Sequence, residues 1–134
     1  RRLNDTFSDF KYDNIEKKNK VKKNKKILIL GVTFKENCPD IRNSKVFELL
    51  RKMKKNNYEI EAYDPYASKN EVLKEYGLNL LDYSQIKNKY YNCILVAVAH
   101  EEFINLSLKN YCKNKDTLIY DLKGLYRNKN YMRL

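Results

Sequence analysis

Lys26-Ile27-Leu28-Ile29-Leu30-Gly31 is the stretch on which the fold turns. Four apolar residues in unbroken succession, closed by a glycine, lack the alternation of a strand wetted on one face and read as a strand covered on both. Downstream, Ser44 opens a segment in which Val46, Phe47, Leu49, Leu50 and Met53 follow one helical stripe, with Lys and Arg gathered near its end as the helix dipole favours. Strand, loop and helix form one unit, and the unit recurs. Tyr58 to Tyr63 alternates as a strand and stops at Asp64-Pro65, Asn70 to Tyr76 reads as a short helix closed by Gly77, Leu78 to Leu81 as a brief strand, and Tyr83 to Lys89 as a helical turn or two. Cys93 to Val98 is the strongest buried strand, a helix is expected from Glu101 to about Tyr111, and Thr117 to Asp121 is the last clear strand. Strands alternating with helices imply crossover connections and parallel pairing. The expected fold is α/β, a Rossmann-like three-layer sandwich with a mostly parallel sheet, preceded by the end of a helix in which Leu3, Phe7 and Phe10 share a face.

Composition narrows the function. A chain of 134 residues suffices for one domain. The longest apolar run, Cys93 to Ala99, is strand-sized and far short of the roughly 20 residues that span a bilayer, so no membrane partner is expected. The opening Arg1-Arg2-Leu3-Asn4-Asp5 carries neither an initiator Met nor an apolar leader and is expected to be a cut inside a longer protein. Cys38, Cys93 and Cys112 are odd in number and far apart, which fits a reducing cytoplasm better than a disulfide framework. The net charge of +11, with seven lysines between Lys17 and Lys26, raises nucleic acid as a partner. That stretch holds Asn and no aromatic residue and immediately precedes a strand, so a solvated connector is the favoured reading and no nucleic-acid partner is expected.

In an open parallel sheet, ligands lie beyond the carboxyl ends of the strands, which directs attention to the loops after Leu30, Tyr63, Ala99 and Asp121. The first reads Gly31-Val32-Thr33-Phe34-Lys35-Glu36-Asn37-Cys38-Pro39-Asp40-Ile41-Arg42-Asn43-Ser44. With one glycine and a Phe-Lys pair where a backbone would approach a pyrophosphate, it is neither a dinucleotide fingerprint nor a P-loop. It offers an ammonium (Lys35), an aromatic ring (Phe34), a proline corner and a guanidinium (Arg42) ahead of the unpaired amides of a helix N-terminus. That is a combination for a phosphorylated ligand, although an arbitrary charged loop in a Lys-rich chain would contain the same residue types. Asp40 could cap the helix or hold Arg42.

This loop, followed in order by Tyr63-Asp64-Pro65, Val98-Ala99-His100-Glu101-Glu102-Phe103 and Asp121-Leu122-Lys123-Gly124, resembles the C-terminal UDP-binding domain of the UDP-glucose/GDP-mannose dehydrogenase family. The resemblance is strongest to the branch acting on UDP-N-acetylhexosamines (glucosamine, galactosamine, mannosamine). It covers essentially the whole chain, with residues 1–25 similar to the end of the family's central helix plus a Lys-rich connector, and 26–134 to the UDP-sugar-binding domain.

The resemblance implies an enzyme that oxidises a sugar C6 alcohol to a carboxylate in two NAD-linked steps through a catalytic cysteine, for surface polysaccharide such as capsule. It implies that NAD is bound mainly by an N-terminal Rossmann domain and that the central helix makes a dimer or larger assembly, while this piece could stand alone as a monomer. Phe34 and Lys35 match substrate contacts, and Arg42 matches an arginine that reaches NAD. Lys123 falls where the UDP-glucose enzymes carry a substrate-binding arginine, a departure that agrees with the N-acetylhexosamine branch. The glycine-rich segment of the catalytic cysteine has no match here, so no catalytic residue is expected and the domain alone should be inactive. A free-standing nucleotide-binding module is the alternative.

Several residues invite heavier readings. Cys38 lies between Asn37 and Pro39, unlike that catalytic segment, and is taken as structural or incidental. A local hydrogen bond to the following helix turn is favoured over proton transfer for His100, the one histidine. Asp64 is assigned a cap or turn role beside Pro65 rather than a ribose contact. No cluster has metal-ligand spacing.

Overall fold

The computed structural model describes residues 26–127, 129, 131 and 132. The expected N-terminal helix and all of the Lys-rich connector before Lys26 lie outside them. Five strands, β1 (Lys26–Leu30), β2 (Glu59–Tyr63), β3 (Leu80–Leu81), β4 (Cys93–Val96) and β5 (Leu118–Asp121), form one sheet in the order β3-β2-β1-β4-β5. Every pairing is parallel, in register from Ile27 beside Ile60 and Cys93 through Leu30 beside Tyr63 and Val96.

Alternate residues of the central strands feed two cores, which is why the runs are continuously apolar. Ile27, Ile29, Cys93 and Leu95 pack on one face with Val46, Phe47, Leu49, Leu50 and Met53 of α1 (Val46–Lys55) and Val72 of α2 (Lys69–Tyr76). Leu28, Leu30, Ile94 and Val96 pack on the other with Ile86 of α3 (Tyr83–Ile86), Phe103, Leu108 and Tyr111. Each large side chain so buried contributes about 1.5–3 kcal/mol, so the α1 stripe holds its layer on the sheet. α2 starts at Ser68, whose hydroxyl accepts from the Glu71 amide, and stops at Gly77 in the left-handed conformation.

The expected helix from Glu101 to Tyr111 is not continuous. Two 3-10 segments, Glu101–Asn105 and Leu108–Tyr111, flank Leu106 and Ser107, which are extended. The buried positions explain the break: Phe103 and Leu108, five residues apart, would lie on divergent sides of one α-helix, yet both must enter the same core. Strand β4 likewise ends at Val96, two residues before the end of the strand expected from the sequence.

Because β1 feeds β2 on one side and β4 pairs on the other, strand order reverses between β1 and β4. The crevice at their carboxyl ends is the topological switch point.

Candidate functional site

Four loops emerge at this edge, after β1, β2, β4 and β5. Gly31 leaves β1 with φ +97°, against the Val98 backbone; a Cβ there would stand 2.6 Å from Val98 Cβ. The chain then folds back on itself, with the Phe34 amide donating to the Asp40 carbonyl at 2.7 Å.

Asp64, at the end of β2, gathers this edge together. Its Oδ2 accepts from the Val32 amide (2.7 Å), the Thr33 amide (3.2 Å) and His100 Nε2 (2.9 Å). Its Oδ1 accepts from the amides of Tyr66 (2.8 Å) and Ala67 (3.1 Å), which is the expected turn role. Burial works against the charge, but the hydrogen bonds from His100 and the Val32 amide outweigh it and hold the carboxyl below the usual carboxylate range.

The His100 side chain makes no cap on the turn that follows it, where only its carbonyl accepts, from the Phe103 amide at 3.0 Å. Its ring is fully buried, and Nδ1 accepts the Asn37 amide at 2.9 Å. An amide can only donate, so Nδ1 carries a lone pair. Nε2 carries the proton and points at Asp64, with Thr33 Oγ1 also at 3.1 Å. Asn37 takes φ 55°, a conformation Asn tolerates, and its Oδ1 accepts from the Glu101 amide.

After β5, Asp121 plays a matching part. Its carboxylate accepts from the Leu125 (3.0 Å) and Tyr126 (2.8 Å) amides, while the Leu122 amide bonds the Val96 carbonyl and Gly124 turns with φ 67°. Lys123 sits at the tip of that turn.

Between the first and last loops lies a hollow of about 230 Å³. Phe34, Lys35 and Lys123 all line it, as do Ser44 and Val46 at the entrance to α1 and Ala97 and Val98 after β4. Phe34 is 55% exposed, and Lys45 and Glu36 also line the hollow, which makes three ammonium groups against one carboxylate. Ser44 Oγ, buried in the wall, has no hydrogen-bond partner among the described residues.

Arg42 is not part of this hollow. It lines a separate concavity with Pro39, Tyr66 and Ser68, its side chain 84% exposed. Asp40 grips it through Nε (3.0 Å) and a terminal nitrogen (3.0 Å) instead of capping α1, and these bonds lower the Asp40 carboxyl to about 2. Cys38 lines neither concavity. Among the described residues no group of three or more His, Cys, Asp and Glu could hold a metal ion, and no helix is long and apolar enough to cross a membrane.

The Asp64–His100 network was missed from the sequence because its partners stand 36 to 67 residues apart. The available signal was Asn37, a residue suited to left-handed backbone in a loop otherwise poor in glycine.

Strand order and a hollow at the switch point define a Rossmann-like α/β domain with a ligand-sized site at its carboxyl edge. Residues 28–128 match the UDP binding domain of the UDP-glucose/GDP-mannose dehydrogenase family, and the chain belongs to that family. It is 36% identical over 131 residues to UDP-N-acetyl-D-glucosamine 6-dehydrogenase of Salmonella typhi, covering 92% of this chain and 30% of that protein. Against the enzyme of the same name from Pseudomonas aeruginosa it is 37% identical over 102 residues, 75% of this chain and 24% of that one. The fold is shared with the UDP-N-acetyl-mannosamine dehydrogenase Cap5O from S. aureus, with TM-score 0.74 at 22% identity over 96% of this chain and 30% of that one. The chain therefore spans about a third or less of the length of these relatives.

Proposed function

We propose that the hollow between the first and last loops takes the diphosphate and nucleoside of a UDP-sugar, with Phe34, Lys35 and Lys123 as its contacts. One observation carries this reading: two loops separated by most of the sequence bring the Phe34 ring and the ammonium groups of Lys35 and Lys123 to one hollow at the strand-order reversal, where Lys45 adds a third positive charge and Glu36 a single negative one. Lys35 and Lys123 supply countercharge to a diphosphate, and Phe34 offers an apolar face to a base or sugar. Ser44 leaves a hydroxyl without a partner among the described residues in the same wall.

In this reading the chain is the C-terminal lobe of an NAD-dependent 6-dehydrogenase that converts a UDP-N-acetylhexosamine to its uronic acid for a surface polysaccharide. The binding domain in this reading begins at residue 26. The names of the relatives support the substrate class. NAD, when bound, accepts hydride from the sugar; the chain's own contribution is to bind and orient the substrate beside it. Arg42 fits a contact to that cofactor because it is exposed on a different rim, where a diphosphate could replace Asp40. No cysteine lines the hollow among the described residues, so these residues alone are expected to bind UDP without oxidising the sugar. The family match favours this over a free-standing module or a nucleic-acid binder.

Calorimetric titration of the 134-residue chain with UDP tests it. Saturable binding is expected, weakened about tenfold or more by Lys35→Ala, since a charge-assisted hydrogen bond is worth about 1.5–3 kcal/mol. Binding unaffected by that change, or salt-steep DNA binding in its place, refutes the assignment.

A further inference from the structure

We infer that His100 is a positioning residue for Lys35, locking the loop that presents the ammonium group to the hollow. The inference rests on the reading that the hollow takes UDP. Neither His100 nor Asp64 lines the hollow, so any effect they have on a ligand there must pass through the loop.

The connection is continuous. The Lys35 carbonyl accepts from Thr33 Oγ1 at 3.0 Å, and Thr33 Oγ1 lies 3.1 Å from His100 Nε2. With the hydroxyl proton committed to the Lys35 carbonyl, the Thr33 oxygen is left to accept, and the Nε2 proton is shared between it and Asp64 Oδ2. On the other side of Lys35, the Asn37 amide donates to His100 Nδ1 at 2.9 Å. One imidazole thus holds the chain two residues before and two residues after Lys35.

The ring itself has little freedom. It is fully buried, with Tyr66 at 4.7 Å and Phe103 at 5.3 Å between ring centroids, and its proton-bearing edge faces a carboxylate that is fixed by four backbone amides. Lys35 is itself exposed. An exposed lysine on an unbraced loop would lose conformational freedom on gripping a ligand; here its backbone is ordered beforehand and that loss is reduced.

A cycle of UDP titrations on the full chain tests this, using His100→Phe, Lys35→Ala and the double variant. Phenylalanine keeps the ring packing and removes both nitrogens. His100→Phe is expected to weaken UDP about tenfold, to cost little further once Lys35 is gone, and to be largely reversed in His100→Gln, whose amide again offers one acceptor and one donor. A merely structural histidine would instead give the same loss in both backgrounds, and that outcome, or unchanged affinity in His100→Phe, overturns the inference. Should His100→Phe fail to fold, His100→Leu also removes both nitrogens from a residue outside the hollow and is read in the same cycle. If the unaltered chain shows no saturable UDP binding, the assignment of the hollow fails first, and the inference with it.

Discussion

Asp64→Asn is expected to destabilise the domain by about 3–5 kcal/mol, a large share of the stability of a domain this size. Both carboxylate oxygens serve only as acceptors: three donors converge on Oδ2 and two on Oδ1. An amide NH₂ must replace one of them, and whichever way it turns, at least two buried donors meet another donor. Urea unfolding would show it as a lower midpoint at unchanged slope; a shift of under about 0.5 kcal/mol would mean the network is not holding the loops.

The same carboxylate sets an acid limit. Its folded pKa lies below the ordinary aspartate value of 3.8, so the unfolded chain takes up the proton first. Its stabilisation is therefore complete above that unfolded value and is lost as pH falls through the folded one. Below about pH 4 the gap in stability between the parent and Asp64→Asn should narrow, since only the parent has this charge to lose.

Gly31→Ala is the second large effect, expected to cost about 3 kcal/mol. Two independent penalties combine. A methyl group would sit 2.6 Å from Val98 Cβ and 3.0 Å from the Val98 nitrogen, part of which is backbone that cannot swing aside. In addition φ +97° is strained for any L side chain. Thermal unfolding would register a drop of several degrees. If the variant melts with the parent, the close approach of the first and third loops at the switch point is not real.

How much of this was written plainly in the sequence depends on the range of the contacts. Ile27–Leu30 and Cys93–Val96 announce a two-sided sheet because burial on both faces removes the need for polar residues, and the sheet is fully parallel. Gly77, directly after Tyr76, gives the α2 helix its own stop signal. Phe34, Lys35 and Lys123 were expected together through the motif order, and they meet in one hollow. Periodicity misled at Glu101–Tyr111, where local pattern suggested one helix and the demand to bury both Phe103 and Leu108 split it. Arg42, seven residues from Lys35, seemed part of the same anion site until Asp40 drew it to another rim. Least legible was His100: its bonds reach loops after β1 and β2, and no local pattern encodes a partner found only by folding.

The sheet's opposite edge sharpens the choice of site. There Lys26, Lys89 and Lys113 line a hollow of about 440 Å³ that is also rich in positive charge. Lys26 and Lys89 already face Glu61 at 4.0 and 3.0 Å, so part of that charge is answered within the protein. Backbone amide NMR during a UDP titration separates the two edges in one experiment. Saturating shifts are predicted at Thr33–Glu36, Asn43–Val46 and Leu122–Lys123; shifts confined to Lys26, Lys89, Asn92 and Lys113 would contradict the assignment of the carboxyl-edge hollow as the nucleotide site.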